Sequence, residues 1–150
     1  SILTKSDLVL RDIDLFKKFK DVEVGLTINT FENDEKELFE PNSPLNNKRI
    51  EALKVLIGNG IKNYAFVSPL IPGLIDIKNL INDTKNFVDY YWFEVLNLQG
   101  AGKEFSEMLK QKYPESYKIL KDRALFDSFI NETKHICKMA GIKVKGFEEH

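Results

Sequence analysis

Cysteine is almost absent from this sequence. Cys137 is the single thiol among 150 residues, which excludes an intramolecular disulfide and any zinc site or cluster built on several cysteines of this chain. Histidine is nearly as scarce, with only His135 and His150. His135 and Cys137 stand two apart on a helical stretch, where side chains do not face one another, so they make a poor metal or nucleophile pair. Excess charge is missing too: 22 Lys and Arg against 23 Asp and Glu leave a net charge of -1, so nucleic-acid binding would rest on a local patch. No apolar run reaches the length of a membrane span. No secretory leader opens the chain, because Leu8–Leu10 is short and followed by Arg11 and Asp12. These absences predict a cytoplasmic protein without a membrane partner. Standard catalytic and nucleotide signatures are missing as well: no G-x-S-x-G, no G-x-x-x-x-G-K-[ST] and no G-x-G-x-x-G occurs.

What is present is core material. Eleven Phe, five Tyr and one Trp, with 43% hydrophobic residues overall, bury enough apolar surface to offset chain entropy in one domain of this length. Apolar runs alternate with amphipathic stretches. Ile2–Thr4 reads as a short strand, with Ser6 or Asp7 as a cap just beyond it. Asp12 is placed to cap a helix carrying Ile13, Leu15, Phe16 and Phe19. Residues 22–30 read as a strand with Val22, Val24, Leu26 and Ile28 on one face and Glu23, Gly25, Thr27 and Asn29 on the other. A polar second face is unusual for pure core packing. A short helix is expected over 34–38 and a longer one over 45–59, stopped by Gly60. Tyr64–Leu70 is nearly continuous apolar strand, as when both faces are covered. Asp76 caps the next helix, 88–98 form a strand, and 99–102 a turn. Pro114 starts one long last helix ended by Gly141, and 142–147 form a final strand. Strand and helix alternate throughout, which predicts an α/β fold with a mostly parallel sheet, either open or part of a barrel.

Ligands of α/β folds sit outside the carboxyl ends of the strands. The polar groups expected there are Thr4, Lys5 and Ser6; Thr27, Asn29 and Thr30; Ser68; and Glu94 with Asn97. Hydroxyls, amides and an ammonium suit a ligand with a ribose and a carboxylate, and they equally suit loop caps. Glu40 and Arg49 can pin the loop between them or hold a ligand carboxylate. Tyr90, Tyr91, Trp92 and Phe93 read chiefly as core, with base stacking as the alternative.

Ile-Leu-Thr-Lys-Ser at 2–6 followed by Arg11-Asp12, Gly-Leu-Thr-Ile-Asn-Thr at 25–30, Phe-Glu-Pro-Asn-Ser-Pro at 39–44, Lys48-Arg49-Ile50-Glu51-Ala52-Leu53, and Phe-Val-Ser-Pro-Leu-Ile-Pro-Gly at 66–73 with Asp76 form an ordered set. That set, with a weaker continuation at Leu96-Asn97-Leu98, resembles radical S-adenosylmethionine proteins of the DNA repair photolyase and spore photoproduct lyase group. The resemblance implies the later strands of a partial (βα)6 TIM barrel over about 1–113, with a C-terminal helix–strand segment over about 114–150. It implies S-adenosylmethionine and a [4Fe–4S] cluster as cofactors of the intact protein. Thr4, Lys5, Ser6, Thr27, Asn29, Glu40, Arg49, Ser68 and Asn97 are then the cofactor-binding residues. The family's cluster is held by C-x-x-x-C-x-x-C, which this sequence lacks. The chain alone is therefore expected to bind no cluster or cofactor and to be inactive, a truncated piece whose intact form acts on a nucleic-acid substrate. An unpaired apolar edge at Ile2–Thr4 predicts a homodimer or edge-strand pairing. The competing readings are a non-catalytic α/β module for ligand or partner binding, and a barrel-type enzyme using Lys5 as base or Glu94 as acid.

Overall fold

The computed structural model describes every residue from Ser1 to His150. Five strands form one sheet: β1 (Ile2–Thr4), β2 (Glu23–Ile28), β3 (Lys62–Leu70), β4 (Tyr91–Val95) and β5 (Val144–Glu148). Their spatial order is the order of the chain, β1-β2-β3-β4-β5, and every neighbouring pair is parallel. The crossovers carry a 3-10 turn at Asp7–Asp12 and α1 (Ile13–Phe16); α2 (Asn33–Phe39) and α3 (Asn46–Gly58); α4 (Ile77–Thr84); then α5 (Leu98–Ala101), α6 (Lys103–Lys112), α7 (Pro114–Lys121) and α8 (Arg123–Met139). Right-handed crossovers in one unbroken direction put all of these helices on the same face of the sheet.

The burial pattern agrees. Val24, Leu26 and Ile28 of β2, Ala65 and Val67 of β3, and Tyr91, Phe93 and Val95 of β4 point to the helices and are all but inaccessible. Ala52, Leu53 and Leu56 of α3 and Leu80 and Ile81 of α4 meet them there. Polar groups buried on this side are paired: Asn63 donates to the Leu53 and Phe87 carbonyls, and the Thr84 and Tyr91 hydroxyls lie 2.7 Å apart. The alternate residues look the other way, onto a face that no helix covers.

Several boundaries differ from expectation. The stretch from Pro114 is two helices, because Asp122 interrupts it and its carboxylate accepts from the Ala124 and Leu125 N–H groups, capping α8. A strong N-cap inside an apolar stripe starts a new helix. Residues 99–102 are not a plain turn. Asn97 caps the short α5 by accepting from the Gln99 and Gly100 N–H groups. The strand expected over 88–98 is only Tyr91–Val95. The final strand of the C-terminal segment, β5, pairs with β4 and widens the same sheet. The helix expected from Asp12 stops at Phe16, so Leu15 and Phe19 stay exposed. Asp12 pairs with Arg11 instead of capping. The Asp76 cap stands where expected, accepting from the Asn79 N–H, as does Ser6, which accepts from the Leu8 N–H. No helix is long and apolar enough to cross a membrane.

Candidate functional site

Strand alternation builds the uncovered face. In register across the sheet it carries Leu3 of β1; Glu23, Gly25 and Thr27 of β2; Tyr64, Phe66 and Ser68 of β3; Trp92 and Glu94 of β4; and Gly146 and Glu148 of β5. Two glycines shape it. A Cβ on Gly25 would stand 2.2 Å from Tyr64 Cζ, and one on Gly146 would stand 2.2 Å from Trp92 Cε2. Each ring therefore lies flat against the backbone of the neighbouring strand, which only glycine permits.

At the amino ends of the strands this face is closed by a polar cluster. Tyr64 and Tyr90 stack with centroids 4.9 Å apart, and Lys145 Nζ sits 3.7 Å from the Tyr90 ring centre. Lys62 and Lys145 approach Glu23 at 3.7 and 3.6 Å. Burial works against the Glu23 carboxylate, yet Tyr90 and the two ammonium groups outweigh it and lower its pKa. Burial, then the Glu23 charge, push the Tyr90 phenol well above its ordinary range.

The carboxyl ends differ. Glu40, just beyond α2, is almost inaccessible and sits between two cations. Arg49 Nη2 lies 2.5 Å from its Oε2 and Lys5 Nζ 2.5 Å from its Oε1. Burial alone would raise the Glu40 pKa, but hydrogen bonds from Arg49 and Lys5 and the Arg49 charge bring it below the ordinary value. Arg49 is 1% exposed. Its guanidinium also donates to the Pro44 and Thr27 carbonyls and the Ser43 hydroxyl. Arg49 is thus engaged in pinning the 40–44 loop to β2, the first of the two roles expected for it. Lys5 keeps 46% of its side chain exposed and has donors to spare beyond Glu40.

The remaining expected residues fall into two groups. The Thr27 hydroxyl makes no hydrogen bond within the chain, although the residue is buried. Ser68 donates to Glu94 Oε2 at 2.6 Å. Asn29 accepts from the Phe31 N–H through its side-chain oxygen, while its Nδ2 is buried without a bonded partner. That amide lies near enough to Glu40 to favour the ionised carboxylate, short of hydrogen-bond geometry. The other group is engaged locally. Thr4 accepts from the Ser6 N–H, Ser6 caps the 3-10 turn, and Asn97 caps α5; those caps explain their side chains without a ligand. Thr30 bridges the Leu74 carbonyl and the Asp76 N–H.

The structure thus brings Lys5, Thr27, Asn29 and Glu40 together at the ends of β1 and β2, and Ser68 with Glu94 at the ends of β3 and β4. Trp92 is the residue that sequence reasoning underrated. Period-two alternation through 90–93 is the signal that separates it from Tyr91 and Phe93, which face the helices. No cluster ligands are present: Cys137 is buried on α8, on the helix side, where burial pushes its thiol up to about 11, and no group of three metal-binding side chains exists. The donor set therefore does not fit an iron–sulfur cluster. What the carboxyl ends of β1 and β2 do offer is the half-exposed Lys5 ammonium, with the Thr27 hydroxyl and the Asn29 amide buried behind it.

The chain is 56% identical over its full 150 residues to an uncharacterized protein of Methanocaldococcus jannaschii and spans 58% of that protein's length. It is 30% identical over 112 residues to an uncharacterized protein of Acidianus two-tailed virus, of which the match covers 36%. No protein-family profile matches the chain, and no solved structure matches it.

Proposed function

We propose that this chain forms the cofactor-facing wall of a radical S-adenosylmethionine enzyme of the DNA repair photolyase and spore photoproduct lyase type, acting on a nucleic-acid substrate. The wall would comprise the later strands of a partial (βα)6 barrel. The observation that carries the reading is the sheet itself. Its parallel strands follow chain order, its helices cover one face, and polar groups gather on the other at the strand carboxyl ends: Lys5 against Glu40, the unpartnered Thr27 hydroxyl, and Ser68 against Glu94. Ligands of parallel α/β sheets and barrels bind at those ends. The ordered motif set from Ile2 to Asp76 supports the same assignment.

In such an enzyme the bound cofactor would be the source of an adenosyl radical, and the thiolates of the cluster that chemistry needs would have to come from outside this chain. The residues here bind and orient. Lys5 sets a fixed positive charge for a carboxylate, held in place by the buried Glu40. Thr27 offers a hydroxyl with no competing partner. Arg49 ties the 40–44 loop to the end of β2 and so fixes Glu40 relative to Lys5. The absence of thiolates on the open face favours a second reading for the isolated chain, a ligand-binding module without redox chemistry. The outer edge of β1, with Ile2 and Leu3 exposed, supports pairing with a further strand or a second copy.

The test uses protein expressed from its whole reading frame, reconstituted anaerobically with iron and sulfide, then given S-adenosylmethionine and dithionite. Formation of 5′-deoxyadenosine is expected, and Lys5→Ala should cut it about tenfold or more, the scale of a lost charge-assisted hydrogen bond. A protein that yields no 5′-deoxyadenosine while still binding S-adenosylmethionine is the module of the second reading. One that does neither overturns both.

A further inference from the structure

Trp92 occupies an unusual position. Its indole lies flat on the backbone of Gly146, where a Cβ would come within 2.2 Å of the ring, so one π-face is sealed by the sheet. No aromatic ring of the chain stacks on it and no cation sits over it, whereas Tyr64, Tyr90, Tyr91 and Phe93 all have ring partners. Its other face looks onto the uncovered side of the sheet, with Phe66 beside it in register. Two residues further along β4, about 6.7 Å by strand rise, Glu94 stands on the same face with 38% of its side chain exposed. Ser68 occupies Glu94 Oε2. Oε1 has only His150 Nε2, at 3.6 Å, too far for a hydrogen bond.

From this we infer that Trp92, Phe66 and Glu94 form a stacking site for a planar nucleobase bearing an exocyclic amine, of the adenine or cytosine type. A ring laid on the open indole face directs its edge toward Glu94. There, a carboxylate oxygen that only accepts hydrogen bonds selects an N–H donor and rejects a carbonyl. Stacking supplies affinity for any base; Glu94 supplies the preference for the amine. The assignment uses neither the cluster nor radical chemistry, so it stands apart from the proposed activity.

Trp92 is the only tryptophan in the chain, so intrinsic fluorescence reports on this site alone. Adenosine and cytidine should quench it saturably, and uridine about tenfold more weakly. Glu94→Gln should erase that difference between bases. Gly146→Ala, which forces the indole off the backbone, should weaken all three nucleosides while circular dichroism holds. Adding S-adenosylmethionine to adenosine-saturated protein distinguishes the sources of the ring. Competition assigns it to the cofactor, and independent binding assigns it to a second ligand. Either outcome keeps the site. Absence of saturable quenching, equal affinity for uridine, or a concentration-dependent blue shift showing a second copy seated on Trp92 would each overturn it.

Discussion

The two faces of the central strands are made from the same backbone and obey different rules. Toward the helices, β2 offers Val24, Leu26 and Ile28, and β4 offers Tyr91, Phe93 and Val95, all sealed from solvent. Away from the helices, the same two strands offer Glu23, Gly25 and Thr27, and Trp92 and Glu94. One face excludes water and carries the stability. The other carries charge, hydroxyls and rings: Gly25 and Thr27 are closed off there too, while Glu23, Trp92 and Glu94 stay partly exposed to a ligand. The contrast separates stability from binding by a single residue of register.

Several substitutions break or sharpen that contrast. The largest effect is expected at the buried ion pair of Arg49 and Glu40. Arg49→Ala strands the buried Glu40 carboxylate and should cost about 3–5 kcal/mol in urea unfolding. Leu26→Ala, on the helix face, should cost about 2–5 kcal/mol, measured in the same way. Gly25→Ala intrudes on the Tyr64 ring from the open face and should cost about 1–3 kcal/mol, with a changed near-UV dichroism from the Tyr64–Tyr90 stack. Thr27→Val, one turn of the pleat away, removes a buried hydroxyl that makes no hydrogen bond within the chain and should change stability by less than about 1 kcal/mol while weakening S-adenosylmethionine binding. Equal stability losses at Leu26 and Thr27 would dissolve the distinction between the faces.

Acid supplies a separate probe. The Glu40 carboxyl is held below its ordinary value of 4.5 in the folded chain. Its contribution is therefore complete above that value and is lost as pH falls through the lower folded one. The stability gap between the parent protein and Glu40→Gln should be constant near neutrality and should narrow below about pH 4.5. A gap that widens on acidification would mean that Arg49 and Lys5 do not stabilise the ionised form. Cys137 gives the smallest signal. With its thiol pushed up to about 11 by burial, it should react with a thiol reagent at pH 8 far more slowly in the native protein than in urea.

Much of this organisation was legible in the chain. The alternation of Glu23, Gly25, Thr27 and Asn29 against Val24, Leu26 and Ile28 announced a two-faced strand. Asp76 announced a helix start, and Glu40 with Arg49 announced a pair. The resolution of that pair was not legible, because the Thr27 and Pro44 carbonyls that occupy Arg49 become its neighbours only in three dimensions. Asp122 was masked by the apolar stripe that continues through it, and Asn97 by the ambiguity of an amide that can cap a helix or face a ligand. Trp92 was hidden by its neighbours: four consecutive aromatics obscure a period of two, and the space that accommodates its ring belongs to Gly146, some fifty residues away in sequence.

Strand order equal to chain order has a consequence in time. Each strand pairs with the one made just before it, and no strand waits for a later segment to be threaded between two already formed. Loop closures stay limited to one crossover at a time, so the search never spans the whole chain. As the polypeptide leaves the ribosome, β2 can dock on β1, and β3 on β2, with the covering helix of each unit emerging in between. Assembly then proceeds like a zipper drawn from one end, and the last tooth, β5, closes over Trp92 only after the rest of the sheet is in place.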